Sequence, residues 1–422
     1  MLGKKLTCFL ASAALALTLA ATDFKITADA EMPVFRCGEK ASFTVSATEN
    51  GKPVSRGTCT VTFTLGGTGK KLSVETVDFS KANPAKVEAT LTEPGFLLAA
   101  VRHSEIKKLD RKHLAGAGFE PEKIRSGWDL PEDFTQFWEE GRAAIAKYPV
   151  QLEEIKEKST DAVTAYRVTV KVLHGENLYG FLAVPKGKGV YPAHVMVPGA
   201  GPGAVAPDVN LASRGVITLT MNVHKYRALE NAAEQRKLYA EKQTERGHTY
   251  SVDQSDNRDK YHFRNVILGV DRAINHVVSM PQWDKKHFVI NGSSQGGGMA
   301  IIMAGFNQNL TAAAGNVPAI CDHGGFRFGR QAGWPQLHRN NPASDPVSPY
   351  YDAANFARFV KVPVLVSCGF IDTVCSPESV HAMYNNLATA DKRIINMPLA
   401  VHETPKIYSD ARNAFVNKHL GF

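Results

Sequence analysis

Val289-Ile290-Asn291-Gly292-Ser293-Ser294-Gln295-Gly296-Gly297-Gly298-Met299-Ala300 sets two adjacent serines and a run of glycines directly behind a short β-branched apolar run. Three readings compete for it: a flexible loop, a phosphate cradle and a catalytic elbow. A phosphate loop needs G-x-x-x-x-G-K-[ST], and no lysine follows here. Gly292 to Gly296 instead fits G-x-S-x-G, with Ser294 at its centre. In a chain with 34 glycines among 422 residues that pattern alone is weak, so its setting has to decide. HFVIN before it reads as a strand and GGGMAIIMAGF after it as a helix, the context that presents a serine hydroxyl on a sharp, strained turn. Gly292 and Gly296 then have a steric reason, because a Cβ at either would strike the neighbouring backbone. The stretch reads as a catalytic elbow.

A lone serine is a weak nucleophile and needs a base and an orienting carboxylate. In this setting they follow in the order serine, acid, histidine. VPVLVSCGFIDTVCSP places Asp372 just past a later strand; the alternative is that it merely caps the helix starting near Pro377. Glu378 and Asp391 are rivals that fit better on helix or loop surfaces. INMPLAVHETP offers His402 in the loop after the next strand, whereas His381 falls in a helix and His323 comes too early. Glu403 is placed to hydrogen-bond around this group, with a plain surface acid as the equal alternative. A tetrahedral intermediate also needs two backbone donors. The Gln295 amide is one, and the turn in HVMVPGAGPG supplies the other from Ala200, unless its glycines mark an ordinary tight turn. Trp334, Tyr350, Tyr351 and Cys321 are candidates for the pocket wall, although core packing explains each of them as well.

Outward from the elbow, strand-like runs at TAYRVTVKVL, NLYGFLAVP, AHVMVPG, VITLTMNV, VPVLVSCGF and RIINMP alternate in their later part with helical text such as RNVILGVDRAINHVVSM. That alternation predicts a mostly parallel sheet covered on both faces. RALENAAEQRKLYAEKQTERGHTYSVDQSDNRDK is a polar, largely helical insertion, expected as a cap or edge element. DLPEDFTQFWEEGRAAIAKYP predicts an amphipathic helix with Asp133 as its cap and Phe134, Phe137, Trp138 and Ile145 on its apolar side. Upstream, residues 24–104 alternate apolar and polar residues between turn signals such as ENGKP and GGTGKK, which predicts an immunoglobulin-like β-sandwich. Residues 105–128 read as a charged linker, and residues 129–422 as the α/β catalytic domain.

The first residues, MLGKKLTCFLASAALALTLAAT, place two lysines before an apolar run that ends in small residues. Residues 1–21 are therefore expected to be a secretory signal peptide, leaving an exported, periplasmic or secreted protein with no membrane span after its removal. The formal charge of +8 is scattered, with no basic stripe interleaved with aromatics, so no nucleic-acid partner is expected. Export permits disulfides, and Cys37 with Cys59 is the natural pair, left open here. Cys368 reads as a buried small hydrophobe. No ligand spacing suggests a metal.

DLPEDFTQFW, HVMVPGAG, GSSQGGGMA, VPAICDH, YYDAANFA, VPVLVSCGFIDTVCSP and the terminal His402-Glu403, in that order, resemble carbohydrate esterase family seven, the acetyl xylan esterase and cephalosporin C deacetylase group. The resemblance runs from residue 129 to the C-terminus. It implies an α/β-hydrolase with triad Ser294, Asp372 and His402, needing no cofactor, that removes acetyl groups from small esters and acetylated xylan or xylo-oligosaccharides through an acyl-enzyme. Two positions depart from the family. Asn222-Val223-His224-Lys225-Tyr226 stands where an Arg-Gly-Gln motif is common, and Ala200 where an aromatic residue is typical. Compact family members lack the N-terminal β-domain; family members often form rings, a packing that an added β-domain could block, so a homo-oligomer stays open. Two competing functions remain. A serine peptidase of the prolyl-oligopeptidase type would carry a propeller far larger than residues 24–104. A non-catalytic polysaccharide-binding protein would have no need of the intact serine, acid, histidine order.

Overall fold

The computed structural model describes residues 21–422. Residues 1–20, nearly all of the expected leader, lie outside the described residues.

The N-terminal unit is all-β and consists of two facing sheets. Asp23–Ala28, Ala41–Glu49, Lys52–Pro53 and Ala85–Ala89 form one; the other has the order Val34–Phe35, Leu114–Phe119, Gly95–Arg102, Thr58–Leu65, Lys71–Asp78. Ala41–Glu49 shows the expected alternation: Phe43, Val45 and Ala47 point inward, between half-buried polar neighbours. They meet Val61, Phe63, Leu97, Ala99 and Val101 of the opposite sheet.

The linker expectation is corrected here. Leu114–Phe119, inside residues 105–128, is a strand antiparallel to Gly95–Arg102, with Gly95 opposite Phe119 and Ala100 opposite Leu114. Its sequence, LAGAGF, reads as loop because small residues carry little strand propensity. The smallness serves a close approach: a Cβ on Gly116 would lie 2.5 Å from the carbonyl oxygen of Phe370 in the second domain. Gly95–Arg102 is buried on both faces except at its last residue, which explains its unbroken apolar text. Leu97, Ala99 and Val101 face the sandwich core, whereas Phe96 joins the core of the second domain.

That second domain is built on a nine-stranded mixed sheet. Val150–Glu154, Val163–Lys171 and Asn177–Pro185 are antiparallel, and Asn177–Pro185 pairs antiparallel with Ile217–Met221. From there Tyr191–Val197, Trp283–Ser293, Ala312–Asn316, Val364–Gly369 and Lys392–Met397 continue in parallel. Phe134–Ala146, His262–Ser279 and Gln295–Phe306 cover one face, and Lys406–Leu420 packs on the other. Phe134, Phe137, Trp138 and Ile145 are buried as expected. Asp133 occupies the cap position but makes no capping bond; its carboxylate instead accepts from Arg258 at 2.7 Å and from the Tyr350 hydroxyl. Cys37 and Cys59 are both free thiols.

Candidate active site

Ser294 sits between strand Trp283–Ser293 and helix Gln295–Phe306 with φ 57° and ψ −120°. Such a backbone costs on the order of 1–3 kcal/mol and persists only where the surroundings impose it. Here they do: the Ser294 N–H donates to the Asn316 carbonyl at 2.9 Å, and the Ser294 carbonyl accepts from Ala319 at 2.9 Å. A Cβ on Gly292 would come within 2.3 Å of the Gly296 backbone, and one on Gly296 within 1.9 Å of the Val197 carbonyl oxygen. Both glycines of the motif are therefore sterically required.

The next two parallel strands in the sheet order past Ala312–Asn316 deliver the partners. Asp372 follows Val364–Gly369 and is fully buried; its Oδ1 accepts the backbone N–H groups of Val374 at 2.7 Å and Cys375 at 3.0 Å. The cap of helix Pro377–Asn385 is Ser376, not Asp372. His402 follows Lys392–Met397, with Nδ1 at 2.8 Å from Asp372 Oδ2 and Nε2 at 2.9 Å from Ser294 Oγ. Protonation at Nδ1 satisfies both contacts: the imidazole donates to the carboxylate and accepts from the hydroxyl. The rivals lie elsewhere. Glu378 is buried under the N-terminal unit, where it accepts the Phe96 N–H at 2.8 Å and burial pushes its carboxyl up to about 7. His381 bonds Asn396 at 3.1 Å, and His323 is buried with neither ring nitrogen bonded.

The turn after Tyr191–Val197 lies against the elbow. A Cβ on Gly199 would stand 3.9 Å from that of Ser294, so Ala200 is one residue past this contact, and Gln295 Nε2 donates to the Pro198 carbonyl at 3.4 Å. The turn is held from behind by residues that sequence reasoning set aside. Asn222 bonds both backbone groups of Ala204, at 2.6 and 3.0 Å, and His224 Nε2 donates to the Gly201 carbonyl at 2.6 Å. Burial pushes His224 down to about 4, so the ring is neutral. It stacks on Tyr226, 4.9 Å between centroids at 9°, and meets the edge of Tyr250. From the polar insertion, Gln235 Nε2 donates to the Pro202 carbonyl at 2.7 Å, and the Tyr250 hydroxyl donates to Gln295 Oε1.

Asn316 ties together the segments that carry Ser294, Asp372 and His402. Its amide nitrogen lies 2.8 Å from Ser293 Oγ, 2.7 Å from Thr404 Oγ1 and 3.2 Å from the Glu403 carbonyl, its two N–H bonds shared among the three acceptors, and its Oδ1 accepts from Ser367 Oγ at 2.6 Å. Nothing in the text TAAAGN signalled this role. The Glu403 carboxylate makes no hydrogen bond to the side chains of Ser294, Asp372 or His402; both its oxygens lie 2.6 Å from Arg111 Nη2 of the N-terminal unit. Tyr351 is core, packed on Trp138 and Tyr261, and the Cys321 thiol donates to the Ala319 carbonyl at 3.2 Å. Trp334 is partly buried against the same core, and the Tyr350 hydroxyl is spent on Asp133. Among the described residues no group of three or more His, Cys, Asp or Glu is arranged to hold a metal ion, and no helix is long and apolar enough to cross a membrane.

The model of the acetyl xylan esterase family, AXE1, matches residues 120–327 and 339–420. The chain belongs to this family. It is a carboxylic ester hydrolase, a carbohydrate acetyl esterase. Acetyl esterase Axe7A from Xylanibacter ruminicola is 31% identical over 324 residues, 75% of this chain and 72% of that protein. Two solved structures share the fold. The acetyl xylan esterase from Paenibacillus sp. R4 has a TM-score of 0.58 at 21% identity, covering 71% of this chain and 99% of its own. Acetyl xylan esterase 1 from Thermoanaerobacterium sp. JW/SL YS485 has a TM-score of 0.55 at 21% identity, covering 71% and 97%. The nine-stranded domain is thus an α/β-hydrolase. Asn222 and His224 brace the turn beside the elbow through neutral hydrogen bonds.

Proposed function

We propose that Ser294, His402 and Asp372 act as nucleophile, base and orienting acid in removing acetyl groups from acetylated xylo-oligosaccharides. The observation that carries this reading is the unbroken chain Ser294 Oγ to His402 to buried Asp372, at 2.9 and 2.8 Å. His402 takes the hydroxyl proton as Ser294 Oγ attacks the acetyl carbonyl. The oxyanion rests on the Ala200 and Gln295 amides, since one lies beside the elbow and the other opens its helix. His402 then protonates the departing sugar oxygen, leaving an acetyl-enzyme. A water that gives its proton to His402 attacks this ester and releases acetate. Glu403 works through its pairing with Arg111 rather than on the substrate. The names of the matched family and of the two solved acetyl xylan esterases support xylan as the source of the acetyl groups.

The N-terminal unit fits an immunoglobulin-like sandwich, from its two facing sheets. Export to the periplasm or medium is proposed from MLGKKLTCFLASAALALTLAAT alone; fractionating cells that express the full chain tests it, and uncleaved protein in the cytoplasm would refute it. The catalytic reading is tested by acetate release from acetylated xylo-oligosaccharides, with 4-nitrophenyl acetate beside it. Ser294→Ala is expected to lower kcat on both by about 10⁴-fold or more. Residual turnover near the wild-type rate would remove Ser294 from the mechanism.

A further inference from the structure

The N-terminal unit touches the second domain at the two loops that carry Asp372 and His402. On the acid loop, Gln331 Oε1 accepts from the Thr68 N–H at 2.6 Å and the Thr68 hydroxyl at 2.8 Å, while its Nε2 donates to the Thr373 carbonyl at 2.7 Å. Thr373 follows Asp372 directly, so one side chain links a β-turn of the first unit to the acid. Ile371, on the other side of Asp372, packs against Leu98, Ala100 and Leu114, and Phe370 meets Phe96 edge-on at 4.8 Å. On the histidine loop, Val401 packs against the same apolar group, and Glu403 pairs with Arg111. The residues flanking both triad members are thus held from the N-terminal unit.

We propose that Arg111 and Gln331 are positioning residues for the esterase reaction, Arg111 acting through Glu403 on the His402 loop and Gln331 connecting Thr68 to the Asp372 loop. The inference rests on the catalytic reading given above. Its physical basis is the separation of the two contributions such a contact makes. Arg111 and Glu403 are 55% and 30% exposed, and an exposed ion pair adds little to folding stability. Catalysis is far more sensitive, because displacing a reacting group by about 1 Å can lower the rate by about 10²-fold. His402 is joined to Glu403 by one peptide bond, and Asn316 fixes only the Glu403 carbonyl and Thr404 beyond it. The Arg111 pairing adds a side-chain restraint from outside the hydrolase domain.

The test uses the mature full-length chain and 4-nitrophenyl acetate. Arg111→Ala and Gln331→Leu are each expected to lower kcat by about tenfold while KM stays within about twofold. Arg111→Lys, which keeps the charge, recovers most of the loss. The double variant Arg111→Ala with Glu403→Gln loses no more than Arg111→Ala alone, as two halves of one contact should. Lys40→Ala breaks an exposed pair of 2.8 Å with Glu88 elsewhere on the same unit and leaves kcat unchanged, which separates positioning from general loosening. Wild-type kcat in both Arg111→Ala and Gln331→Leu, or losses at Arg111 and Glu403 that simply multiply in the double variant, overturn the proposal. Persistence of activity in Ser294→Ala is a different result and strikes the catalytic reading instead.

Discussion

Gly296 leaves no room for a methyl group, since its Cβ would sit 1.9 Å from the Val197 carbonyl oxygen. Gly296→Ala must therefore push the elbow away from the central strand. It is expected to abolish activity and lower the melting midpoint, measured by thermal denaturation beside the nitrophenyl ester assay; an active, equally stable variant would contradict the close packing. His323 offers the opposite case. Both its ring nitrogens are buried without a partner, and burial pushes its pKa down to about 3. His323→Leu should remove an unsatisfied polar group and raise unfolding free energy by about 1–3 kcal/mol, with the larger gain in acid. Urea titrations at two pH values check this. At this scale the sequence was readable where chemistry narrows the choice. A nucleophile, an acid and a base have few residue types and a fixed order, so Ser294, Asp372 and His402 could be singled out and are brought within hydrogen-bond reach. Asn316 and His224 could not, because their roles depend on which distant loops they reach.

Helix Ala232–Arg246 and the turn Tyr250–Val252 behave as one bracing element. The polar text of the insertion predicts a cap or edge element and does not single out its inward residues, yet Gln235 and Tyr250 are buried and point at the turn beside the elbow. Tyr250→Phe leaves the Gln295 amide oxygen without its donor and is expected to lower kcat by about tenfold with little change in KM; steady-state kinetics decide, and an equal fall in substrate affinity would assign Tyr250 to binding instead. Strands show the same limit. Short apolar runs such as Val364–Gly369 were legible as strands, whereas Ala312–Asn316 and Leu114–Phe119 were not. Both are rich in alanine and glycine, chosen for close backbone approach rather than strand propensity.

Across the whole molecule, burial sets the response to pH. His194, His224 and His381 are pushed down to about 4, His323 to about 3, and His262 well below its ordinary value. These rings stay neutral when folded but take up protons near 6.5 once unfolded, so their contribution is full above 6.5 and is lost as pH falls toward 4. Glu378 and Asp352, pushed up to about 7, act in the opposite sense: their contribution is present in acid and is lost as pH rises through 7. Burial also lowers His276 and His419 and raises Asp271, so the lowered rings outnumber the raised carboxyls, and stability should peak near pH 6.5 and fall on the acid side. Denaturant unfolding between pH 4.5 and 8 would show it, and a flat profile would contradict it. The outward face of Gly95–Arg102 and Leu114–Phe119 has one more consequence, in the order of manufacture. A ribosome completes these strands long before Phe370, Ile371 and Val401 exist to cover Phe96, Leu98, Ala100 and Leu114. The nascent chain therefore carries an adhesive apolar face through most of its own translation and is open to aggregation until the last segments arrive.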